Sequence, residues 1–153
     1  MEPSASIDRR PGAVLFMCSM NAVRSPMAEA IVKHLFPRQI YTDSAGVRRG
    51  EPDPFAVAVM DEIGLDISAH KPKTLDELQD THFDLVITLA PEAHHRALEL
   101  TRNEAIDVEY WPTVDPTLAA GSREQILGAY RSVRDGLLER IKARLGWTAT
   151  PGG

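Results

Sequence analysis

Two apolar stretches constrain the fold of this chain most: A-V-L-F-M at residues 13–17 and F-D-L-V-I-T-L at 83–89. Each is of strand length, and neither shows the apolar–polar alternation of a half-exposed strand. Pro-Gly precedes the first and a cysteine loop follows it, so it reads as a buried strand. A buried strand needs cover from its neighbours.

The segments between supply the cover. A helix opens around Ser25-Pro26, where Ser25 or the residue before it caps and proline suits the first position. Met27, Ile31 and Leu35 fall on one face, and Pro37 ends it. Residues 40–44 form a second strand, closed by Ala45-Gly46. Residues 54–63 form a helix with Ala56, Val59, Met60 and Ile63 on its buried face, stopped by Gly64. A short helix is expected at 75–78, a helix at 91–100 and a fourth strand at 108–111. A long last helix at 122–145 carries Ile126, Tyr130, Val133, Leu137, Leu138, Ile141 and Leu145 as its apolar stripe. Strands alternating with helices predict a parallel sheet with right-handed crossovers.

At 153 residues the chain fits one domain, at 13–146, between flexible tails at 1–12 and 147–153. A net charge of −5 gives no reason to expect a nucleic-acid partner. No apolar run is long enough to span a membrane, and the N-terminus lacks the apolar core of a secretory signal. One cysteine makes no internal disulfide and no C-x-x-C zinc site. A cytoplasmic compartment is the simplest expectation.

That cysteine sits in C-S-M-N-A-V-R-S-P, residues 18–26. It leaves the carboxyl end of the first strand, where ligands bind in such sheets, and faces a helix N-terminus, where an anion is favoured. A neighbouring arginine favours the thiolate, the nucleophilic form. Arg24 offers a planar fork that grips two oxygens of a phosphate. The residues between, Ser19, Met20, Asn21, Ala22 and Val23, are enough to wrap amides around an oxyanion. Ser25 is placed to donate to the thiolate. The constellation suits attack by sulfur on a tetrahedral oxyanion. Asp115, in W-P-T-V-D-P-T after the fourth strand, lies over the same edge and suits a general acid.

The segment C-S-M-N-A-V-R-S-P-M-A-E resembles the signature of the low-molecular-weight protein tyrosine phosphatases. D-S-A-G at 43–46, P-D-P at 52–54, G-L-D-I-S-A-H-K at 64–71, F-D-L-V-I-T-L and D-P at 115–116 fit in order, over roughly residues 13–145. The resemblance implies a phosphotyrosine protein phosphatase I-like fold: a three-layer α/β sandwich around a four-stranded parallel sheet. It also implies a cysteinyl-phosphate mechanism with no metal and no cofactor. Cys18 is then the nucleophile, Arg24 the phosphoryl ligand, Ser25 the support of the thiolate and Asp115 the acid. Asn21 matches an asparagine that holds the loop in an unusual conformation. His70 matches a histidine that supports it.

The chain departs from that pattern at informative places. Met20 stands where the family usually has glycine, and a negative φ there is expected. Val23 replaces a second cysteine, so oxidised Cys18 depends on an external thiol. Thr117 and Leu118 replace two tyrosines that wall the pocket, which weakens the case for an aryl substrate. The C-terminal half resembles the thioredoxin-coupled arsenate reductases of the same fold. Those use two further cysteines, one directly after T-L, where this chain has Ala90. An internal disulfide relay is therefore impossible.

Three functions follow as expectations. The first is phosphomonoester hydrolysis, on a phosphorylated protein or a small ester. The second is arsenate reduction with an external small thiol such as glutathione or mycothiol. The third is a non-catalytic phosphate-binding module, which would need neither Cys18 nor Asp115. Arg48 and Arg49 read as a solvated charged loop, His94 and His95 as a solvated helix rather than a metal site, and Trp111 as a packing residue.

Overall fold

The computed structural model describes residues 10–78 and 82–148. Four strands form one parallel sheet: β1 (Ala13–Cys18), β2 (Tyr41–Gly46), β3 (Leu85–Thr88) and β4 (Asp107–Tyr110), in the order β2-β1-β3-β4. The connecting helices are α1 (Arg24–Leu35), α2 (Pro54–Asp61), α3 (Pro91–Leu100) and α4 (Arg123–Leu145), with single 3-10 turns at Leu75–Glu77 and Pro116–Leu118. The chain goes outward from β1 to β2, then crosses to β3. That reversal opens a crevice at the carboxyl ends of β1 and β3.

Alternation along β1 divides the core. Val14, Phe16 and Cys18 face the layer of α1, α2 and α4, while Leu15 and Met17 face the layer of α3. β3 repeats this, with Leu85 and Ile87 on the first side and Val86 on the second. This is the three-layer sandwich, and it explains the apolar continuity of both strands.

Some boundaries differ from the sequence expectation. α1 starts at Arg24, so Pro26 is its third residue rather than its first, and neither Ser25 nor the N-cap Val23 caps it through a side chain. The proline is still tolerated, because the first amides of a helix have no internal acceptor. α2 ends at Asp61, which leaves Ile63 exposed beyond it. Leu127, absent from the expected stripe of α4, is buried, while Ile126 and Leu138 are only partly so.

Arg10 and Gly12, expected in the tail, are tied down. Arg10 donates to Leu145 O at 2.9 Å and lies 5.1 Å from the Phe36 ring centre. Gly12 N donates to Asp84 Oδ2 at 2.8 Å. At the other end, Lys142 Nζ lies 4.7 Å from the Trp147 ring centre. Residues 1–9 and 149–153 of the expected tails lie outside the described residues.

Candidate active site

The loop after β1 is shaped by where its carbonyls go. Those of Cys18, Ser19 and Met20 accept from Val47 N, Arg48 N and Gly50 N at 3.2, 2.8 and 2.8 Å. Pinned outward to the segment after β2, they turn the opposite edge of the loop inward. Among the described residues, the amides of residues 19–23 have no hydrogen-bond partner. Successive free amides beside a helix N-terminus form an anion cradle. The close approach needs Gly46: a Cβ there would lie 2.6 Å from Arg48 O and 2.8 Å from Asn21 N.

Asn21 fixes the loop's bend. Its φ is 55°, and it is the only non-glycine residue with positive φ among those described. Met20 keeps a negative φ, as expected, and its side chain is exposed at the rim. The fully buried Asn21 amide donates to Ser25 Oγ and Ser44 Oγ, both at 2.9 Å. Its Oδ1 accepts from Lys73 N at 2.9 Å and from His70 Nε2 at 3.1 Å. Both contacts of His70 Nε2 are oxygens that only accept, Asn21 O and Oδ1, so this nitrogen carries the proton. Burial, partly offset by the hydrogen bond to Asn21, holds the His70 pKa below its ordinary value.

The same accounting orients the hydroxyls. Ser44 Oγ donates to the buried Glu29 carboxylate at 2.6 Å, so it accepts from Asn21. Ser25 Oγ also accepts from Asn21, which leaves its proton for Cys18 Sγ, 2.9 Å away. A hydroxyl donating to sulfur favours the thiolate. Lys33 closes the chain on the far side of Glu29.

Arg24 and Asp115 arrive from different elements. The β3–β4 ladder continues past the strand, with Trp111 N on Thr88 O at 2.8 Å and Thr113 N on Leu89 O at 3.1 Å. This carries the Asp115 loop over the cradle. Arg24 donates to Thr113 O at 3.0 Å and lies 3.8 Å from Asp115 Oδ2. Asp115 Oδ1 accepts from Thr117 N and Oγ1 at 3.0 and 2.7 Å, which leaves Oδ2 toward the cleft. Trp111 packs edge-on against Phe16.

The cleft holds about 230 Å³ and is lined by Cys18, Met20, Ala22, Val23 and Arg24, by Gly50, Glu51 and Asp53, and by Asp115 and Thr117. Ser19, Asn21 and Ser25 are not in that lining: Asn21 and Ser25 brace the loop from beneath. Gly50, Glu51 and Asp53 are the lining residues that sequence reasoning did not assign; the quoted P-D-P motif was the available signal. Of the two expected wall positions, Thr117 lines the cleft and Leu118 is exposed outside it. Arg48 and Arg49 are exposed, as a solvated charged loop would have them, and pair with Glu92 and Glu77. His94 is likewise anchored, 2.9 Å from Thr88 Oγ1 and stacked on Tyr110. Among the described residues, no group of three His, Cys, Asp or Glu side chains is placed to hold a metal ion.

The chain is thus a parallel three-layer α/β domain with a cysteine and an arginine around a cleft at the carboxyl edge of its sheet. Within it, a model of the low molecular weight phosphotyrosine protein phosphatases matches residues 13–143, and the chain belongs to that family. An arsenate reductase of Halalkalibacterium halodurans is 34% identical over 84% of this chain and 91% of that protein. A glutaredoxin arsenate reductase of Synechocystis is 31% identical over 84% and 92%. Among solved structures, an arsenate reductase in a phosphate-binding state superposes with a TM-score of 0.73 at 30% identity, over 88% of this chain and 96% of that one. A tyrosine phosphatase of Erwinia amylovora shares the fold, with a TM-score of 0.69 at 21% identity over 89% and 91%.

Proposed function

We propose that this protein reduces arsenate with an external small thiol as second substrate. The observation that carries the reading is Cys18, the chain's one thiol, on the floor of an oxyanion cradle with Arg24 and Asp115 above it. The relatives named arsenate reductases, at 30% identity and above, support it.

Arsenate binds with its oxygens on the free amides and the Arg24 fork. Cys18 Sγ attacks arsenic, an S–As bond forms and an As–O bond breaks. The departing oxygen leaves as water with a proton from Asp115. A thiol then attacks arsenic from the open side, opposite Sγ, and Cys18 leaves as a thiolate held by Ser25. Attack on Sγ itself would have to come from behind, through the core where Cys18 is 2% exposed. Arsenic is still pentavalent in the released thiol conjugate. A second thiol attacks the sulfur of that conjugate, the disulfide forms, and arsenic departs with the electron pair as arsenite. Two thiols are oxidised and arsenate gains two electrons.

Asp115 beside Arg24, together with the phosphatase family model, favours one second reading. Water in place of the thiol would give phosphomonoester hydrolysis through a cysteinyl-phosphate. Phosphotyrosine is the weakest substrate for it, since among the described residues no aromatic side chain lines the cleft.

The test is arsenite release with a small thiol, beside hydrolysis of an activated aryl phosphate, by wild type and Cys18→Ser. Thiol-dependent reduction that vanishes in Cys18→Ser is expected. Aryl phosphate hydrolysis without arsenate reduction would replace this reading with the phosphatase one. Phosphate binding with neither turnover would leave a binding module.

A further inference from the structure

The mouth of the cleft carries a charge that the chemistry at Cys18 leaves unused. Among the described residues its lining has one cation, Arg24, and three carboxylates, Glu51, Asp53 and Asp115. Two of the three are committed. Asp53 caps α2 through Oδ1 and accepts the Tyr130 hydroxyl at 2.7 Å through Oδ2. Asp115 is held by Thr117 and faces Arg24. Glu51 is exposed and, among the described residues, has no partner.

The arginines of the same loop do not offset it. Arg48 is turned to Glu92, with contacts of 2.8 and 2.6 Å, and Arg49 is turned to Glu77. Neither lines the cleft, and no lysine does. Arg24 and the loop amides are claimed by the oxyanion, so a group entering behind it meets an unpaired carboxylate. Under the proposed function that group is the thiol.

We infer that Glu51 selects the second substrate by charge: the thiol is cationic or neutral, with ammonium or hydroxyl donors near its sulfur, and anionic thiols are rejected. This inference rests on the thiol-coupled reading. An ammonium or hydroxyl donates to Glu51, whereas a carboxylate-bearing thiol places like charges together with no cation between them.

Three thiols of similar size make the test: cysteamine, 2-mercaptoethanol and 3-mercaptopropionate. Arsenate reduction is measured at saturating arsenate, fixed pH and fixed ionic strength, with rates expressed per thiolate. In wild type the cysteamine-to-mercaptopropionate ratio is expected near ~10, the scale of one unscreened charge pair at a solvated rim. Glu51→Gln should lower that ratio about fivefold, and Glu51→Lys should invert it. Raised salt should compress it in wild type. A ratio unchanged in both variants, with turnover retained, overturns the assignment to Glu51 and leaves the thiol-coupled reading standing. Absence of turnover with every thiol removes both together.

Discussion

Asn21 uses every hydrogen-bonding position its side chain has. Two donors go to Ser25 and Ser44, and Oδ1 accepts from Lys73 N and His70. It also holds a φ of 55°, which alanine tolerates poorly. Asn21→Ala should therefore lower kcat/KM by about 10²-fold through misplacement of the loop. It should also cost about 2 kcal/mol of stability through the orphaned partners. Urea unfolding beside kinetics separates the two effects. Asp115→Asn keeps the size and loses the proton. On aryl and alkyl phosphates, the substrates of the second reading, its rate loss should be about 10²–10⁴-fold and largest for poor leaving groups; equal loss across leaving groups would remove Asp115 as the acid. Cys18, Arg24 and Asp115 were legible in the sequence because a fixed local spacing carries the first two and an Asp-Pro turn marks the third. The Glu29–Ser44 link was not, because its residues are 15 apart on different elements with no shared local pattern.

At the scale of elements, the cradle exists because β2 and its following loop press against the end of β1. Cys18 and Gly46 are register partners, and a side chain at Gly46 would strike backbone, which cannot swing aside. Gly46→Ala should cost about 1–3 kcal/mol, as overpacking does, and should weaken phosphate binding more than it disturbs helix content. Calorimetric titration with phosphate beside circular dichroism checks this. An unchanged phosphate affinity would show that the loop holds its shape without that contact. The helix starts illustrate the limits of local signals. Asp53 and Ser122 cap their helices as their residue types predict, accepting from Phe55 N and Gln125 N. α1 ignores Ser25, because that hydroxyl is claimed by Asn21 and Cys18.

The whole molecule should lose stability toward acid in two stages. His70 has a folded pKa below its ordinary 6.5, chiefly through burial. The unfolded chain therefore takes up the proton first, and stability present above pH 6.5 declines as pH falls through that value. Glu62, held by Arg131 and Arg134 across α2 and α4, has its pKa lowered from 4.5 to about 2. Its contribution is complete above pH 4.5 and is lost between there and about 2. Urea midpoints against pH should fall in both windows, and His70→Asn should remove the upper decline; an upper decline that persists would assign it to another group. What the sequence by itself determined was the alternation of buried strands and helices, hence a parallel sheet, and the C-x5-R-S loop with Asp115 over the same edge. Those properties are periodic or local, so chain order carries them. Only the tertiary structure decided that the loop's arginines turn to Glu92 and Glu77, that Glu51 at the cleft has no partner among the described residues, and that Glu29 orients the hydroxyls beneath Cys18. Charge pairing and hydrogen-bond direction depend on which distant groups meet in space, and one-dimensional spacing does not encode that.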